Sequence, residues 1–159
     1  MPAGARKRKG MDTDGASPTG GVMVIIVDDE PEIAQEIADG LSADGIAAVV
    51  AHSAQQAITL LETLEDRVGV VVTDLRMPGI DGLTLIRRLR SGGPGAAMPE
   101  VVLMSGHASP EELLAARNAG ARAVLRKPFA WDDLANAVDS ALATVRHRKG
   151  QADTASDGS

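Results

Sequence analysis

The sequence predicts an α/β domain built on a parallel sheet with helices on both faces. Three observations predict it. Short apolar runs alternate with segments in which apolar residues recur every three or four positions. The runs show no inside–outside alternation, as expected of strands buried on both faces. Each run ends in a polar residue and is followed by a helical segment, the pattern of parallel strands joined by right-handed crossovers.

The elements follow in order. Val22 to Val27 is the first strand, ending at Asp28-Asp29. Pro31 suits a first helical turn, where its missing N–H costs nothing. Ile33, Ile37 and Leu41, with Ala34 and Ala38 beside them, form one face of a helix that Gly45 ends. Ala47 to Ala51 is the second strand. Ser53 caps a helix carrying Ala57, Ile58, Leu61 and Leu64. Val68 to Thr73 is the third strand, ending at Asp74. After the turn Met77-Pro78-Gly79, Leu83, Ile86 and Leu89 mark a third helix. Val101 to Met104 is the fourth strand, ending at Ser105-Gly106. Ser109 caps a helix through Leu113, Leu114 and Arg117, and Gly120 stands where a left-handed C-cap is needed. Ala123 to Arg126 is the fifth strand, ending at Lys127-Pro128. A last helix runs from Trp131 to about His147, with Leu134, Val138, Leu142 and Val145 facing inward. For five such units the commonest arrangement is the flavodoxin-like order 2-1-3-4-5.

A chain of 159 residues holds one such domain and not comfortably two. Residues 1–21 and 148–159 are rich in Gly, Ser, Thr and Asp without periodicity, and are expected to be disordered around a unit spanning 22–147. The basic cluster Arg6-Lys7-Arg8-Lys9 precedes no apolar stretch and so is no secretory signal. The absence of cysteine excludes disulfides, thiolate metal sites and a cysteine nucleophile, and fits a cytoplasmic setting. No apolar run is long enough to suggest a membrane span. A net charge of -6, with one Phe, one Trp and no Tyr, argues against nucleic acid as a partner of the domain.

The polar residues at the strand ends carry the chemistry. In an open parallel sheet, ligands bind beyond the carboxyl ends of the strands, where the strand order reverses. In the 2-1-3-4-5 order the first and third strands are neighbours there. Asp28, Asp29 and Asp74 then meet in one cleft, with Ser105 and Lys127 along its other side. Two unit charges about 4 Å apart repel by roughly 4 kcal/mol at an effective dielectric near 20. Lys127 supplies a single positive charge, so a further cation is needed. An oxygen-only donor set without His or Cys favours a hard ion such as Mg²⁺, or Mn²⁺ in its place. A carboxylate beside such an ion can act as a nucleophile toward a phosphoryl group.

The stretches VIIVDDEPEI, VVVTDLRMPGIDGLTLIRRLR, VVLMSGHAS and AGARAVLRKPF resemble the four sequence blocks of the response-regulator receiver domain, in the same order. The resemblance covers nearly all of 22–147. It implies a five-stranded (βα)₅ fold and phosphorylation of Asp74 by a histidine kinase or a histidine phosphotransfer protein. It also implies Mg²⁺ held by Asp29, Asp74 and the backbone carbonyl of Arg76, with Asp28 acting through water. Ser105 matches the family's switch hydroxyl and Lys127 its lysine, and Lys127–Pro128 is a candidate cis peptide. Arg76 and His107 occupy positions that flank the phosphoryl group. One position departs from the pattern: Val124 stands where the family often has Tyr or Phe, so an aromatic switch is not expected. Too few residues follow 147 for a DNA-binding output domain, so the expectation is a stand-alone regulator, not a dedicated enzyme, whose output is protein contact or onward phosphotransfer.

Two other classes compete. A phosphatase of the haloacid-dehalogenase type needs Asp-x-Asp after the first strand, whereas here the aspartates are adjacent. A degenerate receiver serving only as an interaction module would not need the full acidic set and lysine. Nucleotide binding is disfavoured because no glycine-rich phosphate loop follows the first strand.

Overall fold

The computed structural model describes residues 21–91 and 98–158, the last ten by backbone alone. The expected N-terminal arm, 1–21, lies outside the described residues except for Gly21. The strands are β1 (Met23–Val27), β2 (Ala48–Ala51), β3 (Val68–Asp74), β4 (Glu100–Ser105) and β5 (Ala123–Arg126). The helices are α1 (Pro31–Ala43), α2 (Ala54–Leu64), α3 (Gly82–Arg90), α4 (Pro110–Ala119) and α5 (Trp131–Gly158), with a 3₁₀ turn at Glu65–Arg67. The sheet has the order β2-β1-β3-β4-β5, and every pairing is parallel.

Alternate residues of each central strand feed two separate cores. Val24 and Ile26 of β1, Val70 and Val72 of β3, and Val102 and Met104 of β4 pack against α1 and α5. Ile25, Val27, Val71 and Leu103 point the other way, to α2, α3 and α4. This is why the runs read as uniformly apolar: both faces of each strand are covered. The α1 core is Ala34, Ile37, Ala38 and Leu41, and the α5 core is Leu134, Val138, Ala141, Leu142 and Val145.

Local chemistry fixes the helix ends. The Ser53 and Asp81 side chains accept from the amides of Gln56 and Thr84, as N-caps do. Ser109 and Glu112 form a reciprocal capping box on α4, and Gly120 closes α4 in the left-handed region at φ 113. Gly40, inside α1, is needed for a close approach: a Cβ there would fall 2.5 Å from the indole of Trp131. At the amino edge of the sheet, Glu100 accepts from Arg122 and Arg148, tying α5 to β4 and to the start of β5.

Two expectations are corrected. The second strand starts at Ala48 rather than Ala47. The last helix runs past His147 to Gly158, into the 148–159 stretch where the sequence predicts a disordered tail. No proline interrupts it, and extending an existing helix costs far less than starting one. Among the described residues, no helix is long and apolar enough to cross a membrane.

Candidate functional site

The carboxyl ends of β1 and β3 adjoin because these strands pair directly, Val27 lying opposite Thr73. The next residue of β1's exit is Asp28, and β3 ends on Asp74. Asp28 is fully buried and Asp74 nearly so, whereas Asp29 is exposed. Carboxylate oxygens of Asp28, Asp29 and Asp74 lie within 4.8 Å of one another. Asp28 also accepts from the Glu30 amide at 2.9 Å, which fixes the start of the loop into α1.

Lys127 follows β5 and reaches back across the rim. Its Nζ lies 3.4 Å from Asp28 Oδ2 and 3.3 Å from Asp74 Oδ2. The Lys127 amide donates to the Ser105 carbonyl at 2.7 Å, so the lysine is anchored to the end of β4. The Lys127–Pro128 peptide is cis. Ser105 is buried, and its Oγ has no hydrogen-bond partner. A buried hydroxyl left without a protein partner costs free energy, and this one is available to bond a group bound at the rim.

Electrostatics follow from this crowding. Burial raises the Asp74 pKa, Lys127 opposes the rise, and Asp28 adds to it. Burial alone would lower the Lys127 pKa, but Asp74 and Asp28 together outweigh it and the pKa is raised. The cluster thus combines three carboxylates that repel with one ammonium that is firmly charged. It is oxygen-rich and open at Asp29, which suits a hard divalent cation.

A model of the response regulator receiver domain matches residues 24–139, the stretch that contains every one of these groups. This chain belongs to that family. The receiver domain is 37% identical over 123 residues to the C4-dicarboxylate transport transcriptional regulatory protein DctD of Pseudomonas aeruginosa, an alignment covering 77% of this chain and 26% of DctD. It is 33% identical over 113 residues to the response regulator MprA of Mycobacterium tuberculosis, covering 71% of this chain and 47% of MprA. The chain thus spans between about a quarter and a half of the length of these curated relatives. Among solved structures, a receiver protein from Pseudomonas putida matches with a TM-score of 0.68 at 32% identity, covering 75% of this chain and 96% of that one. A receiver domain from Clostridium thermocellum matches with a TM-score of 0.72 at 27% identity, covering 79% and 97%. Receiver domains belong to two-component signal transduction, and the five-stranded fold and strand order are those of these neighbours.

Within the receiver domain, Asp28, Asp29, Asp74 and Lys127 converge, with Ser105 tied to the same rim. The Arg76 backbone amide lies near enough to the Asp74 carboxylate to oppose the rise in its pKa. The Arg76 side chain, however, turns to α4 and pairs with Glu112. Val124 is partly buried and packs in the core on the α2, α3 and α4 side. His52, His107 and His147 are exposed. Two features at the site were not foreseen. Gly82 is pressed against the loop after β3: a Cβ there would fall 2.6 Å from the Asp74 carbonyl oxygen. Glu112 joins the site through Arg76. Its spacing from Ser109 is a visible capping-box signal, but its pairing with a residue 36 positions away leaves none.

Proposed function

We propose that residues 22–147 act as a phosphoacceptor unit in which Asp74 takes the phosphoryl group of a phosphohistidine on a histidine kinase or phosphotransfer protein. The observation that carries this reading is the convergence of Asp28, Asp29 and Asp74 within 4.8 Å, opposite the Lys127 ammonium. An Asp74 carboxylate oxygen attacks phosphorus, the P–N bond breaks, and the donor imidazole leaves. Lys127, 3.3 Å from Asp74, offsets charge on the transferring phosphoryl oxygens. The unpartnered Ser105 hydroxyl donates to a phosphoryl oxygen once transfer is complete.

Asp29, Asp74 and the backbone carbonyl of Arg76 are the residues to hold Mg²⁺ (or Mn²⁺), with Asp28 acting through water. The ion neutralises developing negative charge when bound. The carboxylate crowding and oxygen-only donors fit that ion. The reading requires no dedicated enzymatic turnover beyond slow hydrolysis of the domain's own aspartyl phosphate. It places the domain in the cytoplasm, where kinases have access to ATP. Output then passes through contact with a further protein or through onward phosphotransfer. Because Val124 replaces the family's aromatic ring, the readout rests on other side chains.

Intact-mass spectrometry after treatment with acetyl phosphate tests this. The wild type gains one phosphate in the presence of Mg²⁺ and none with EDTA, while Asp74→Asn gains none under either condition. Equal modification of Asp74→Asn would place the acceptor elsewhere and end the proposal.

A further inference from the structure

Helix α4 is held in an unusual way. Ala116 is its only fully buried residue, and Leu114 is 60% exposed. A helix docked by so little apolar surface depends on polar contacts at its ends. At its carboxyl end, the Arg90 guanidinium donates to the Gly120 carbonyl at 2.7 Å. At its amino end, Arg76 Nη2 donates to both carboxylate oxygens of Glu112, at 2.6 and 2.8 Å. Glu112 is also the residue that closes the capping box with Ser109. A single arginine therefore ties the start of α4 to the loop after β3.

That arginine stands next to the phosphoacceptor. It lies two residues past Asp74, with its backbone amide near enough to favour the charged form of that carboxylate. An arginine side chain anchored there is long enough to turn to the same carboxylate or to any group built on it. In the structure it turns away, toward Glu112. We propose that Arg76 is a second cationic ligand of phosphorylated Asp74, and that Glu112 holds it in reserve until the phosphoryl group arrives. The inference rests on the phosphoacceptor reading and deepens it. Glu112 offers one negative charge. A phosphoryl group offers close to two, with three acceptor oxygens suited to a planar guanidinium. The Arg76–Glu112 pair is largely in solvent, at 60% and 38% exposure, and exposed pairs are weak. The exchange therefore runs toward the phosphoryl group. Its consequence is that α4 loses its amino-terminal tether and Glu112 keeps only its cap role.

Hydrogen exchange of the α4 segment, read by mass spectrometry, tests the exchange of partners. The variants are Arg76→Gln, Glu112→Gln and the double substitution. Glutamine still closes a capping box, so Glu112→Gln removes the charge and spares the cap. Without phosphate, each single variant exchanges roughly two- to fivefold faster than wild type over residues 110–116, the change that losing one exposed ion pair produces. The double variant exchanges no faster than either single one. Acetyl phosphate with Mg²⁺ speeds wild-type exchange by a similar factor and adds little to the variants. Unchanged α4 exchange in a wild type shown by mass to carry phosphate on Asp74 would overturn the inference alone. A wild type that gains no phosphate would overturn both the inference and the reading beneath it. Additive effects in the double variant would show that Arg76 and Glu112 act separately, and would also overturn it.

Discussion

Replacing Asp74 with Asn removes one charge from the site and little else. The amide keeps the shape of the carboxylate and still offers an oxygen to Lys127. Two effects oppose each other. At 3.3 Å, the attraction between Lys127 and Asp74 is about 5 kcal/mol at an effective dielectric near 20. Against it stand Asp28 and Asp29, whose oxygens lie within 4.8 Å of Asp74, each repelling it by about 3.5 kcal/mol at the same dielectric. Burial of Asp74 adds to the repulsive side. Asp29 and much of Lys127 face solvent, so both sums shrink and about 1 kcal/mol of net destabilisation remains.

The raised Asp74 pKa has the same origin: burial first, opposed by Lys127, reinforced by Asp28. A raised acid pKa means that the folded state binds more protons than the unfolded one. Asp74 therefore favours the fold below its ordinary value of 3.8 and loses that contribution as pH climbs through the raised value. Asparagine does not titrate. In EDTA at pH 7, Asp74→Asn melts higher than wild type by about 2–4 °C, the shift expected for 1 kcal/mol in a domain of this size. The gap closes on acidification below the ordinary carboxylate range. Mg²⁺ then narrows or reverses the order at neutral pH, since a ligand at a hundred times its dissociation constant adds about 2.7 kcal/mol to the state that binds it. Thermal melts followed by circular dichroism read all of this. An Asp74→Asn protein that melts below wild type in EDTA at pH 7 would show that Lys127 already neutralises the cluster. The case for a bound cation would then lose its electrostatic basis.

Two further outcomes follow from single contacts. Ser105→Ala removes a buried hydroxyl that has no partner, so the unmodified protein gains about 1 kcal/mol and still takes phosphate at Asp74; a lower melting temperature would mean that the hydroxyl is bonded in solution. Gly40→Ala destabilises wild type by about 1–2 kcal/mol because the new Cβ displaces the Trp131 ring from its seat. In a Trp131→Ala background the same substitution stabilises, by about 1 kcal/mol, as alanine does in any free helix interior. Urea melts of the four proteins give the cycle, and an unchanged sign in both backgrounds would refute the contact.

Much of this was legible in the sequence because the relevant signals are local. Asp28, Asp74, Ser105 and Lys127 each stand at the end of an apolar run, and a parallel sheet brings strand ends together. The cap residues Ser53, Ser109 and Gly120 sit where turn chemistry puts them. What escaped depends on distance in the chain. Arg76 meets Glu112 across 36 residues. Arg90 covers Gly120 across 30. Gly40 accepts the indole of a residue on another helix. No periodicity records such pairings, since each one depends on how two finished elements pack. The extent of α5 escaped for a different reason: helix continues there without an apolar face to announce it.

The seat of Trp131 on Gly40 has a spectroscopic consequence. The chain has one tryptophan and no tyrosine, so its near-ultraviolet emission comes almost wholly from one ring. That ring is partly open to water and rests where α1 meets the start of α5, four residues past Lys127. Colour shifts or quenching of the unlabelled protein thus report on that seam alone. Events at α4, on the opposite face of the sheet, stay optically dark.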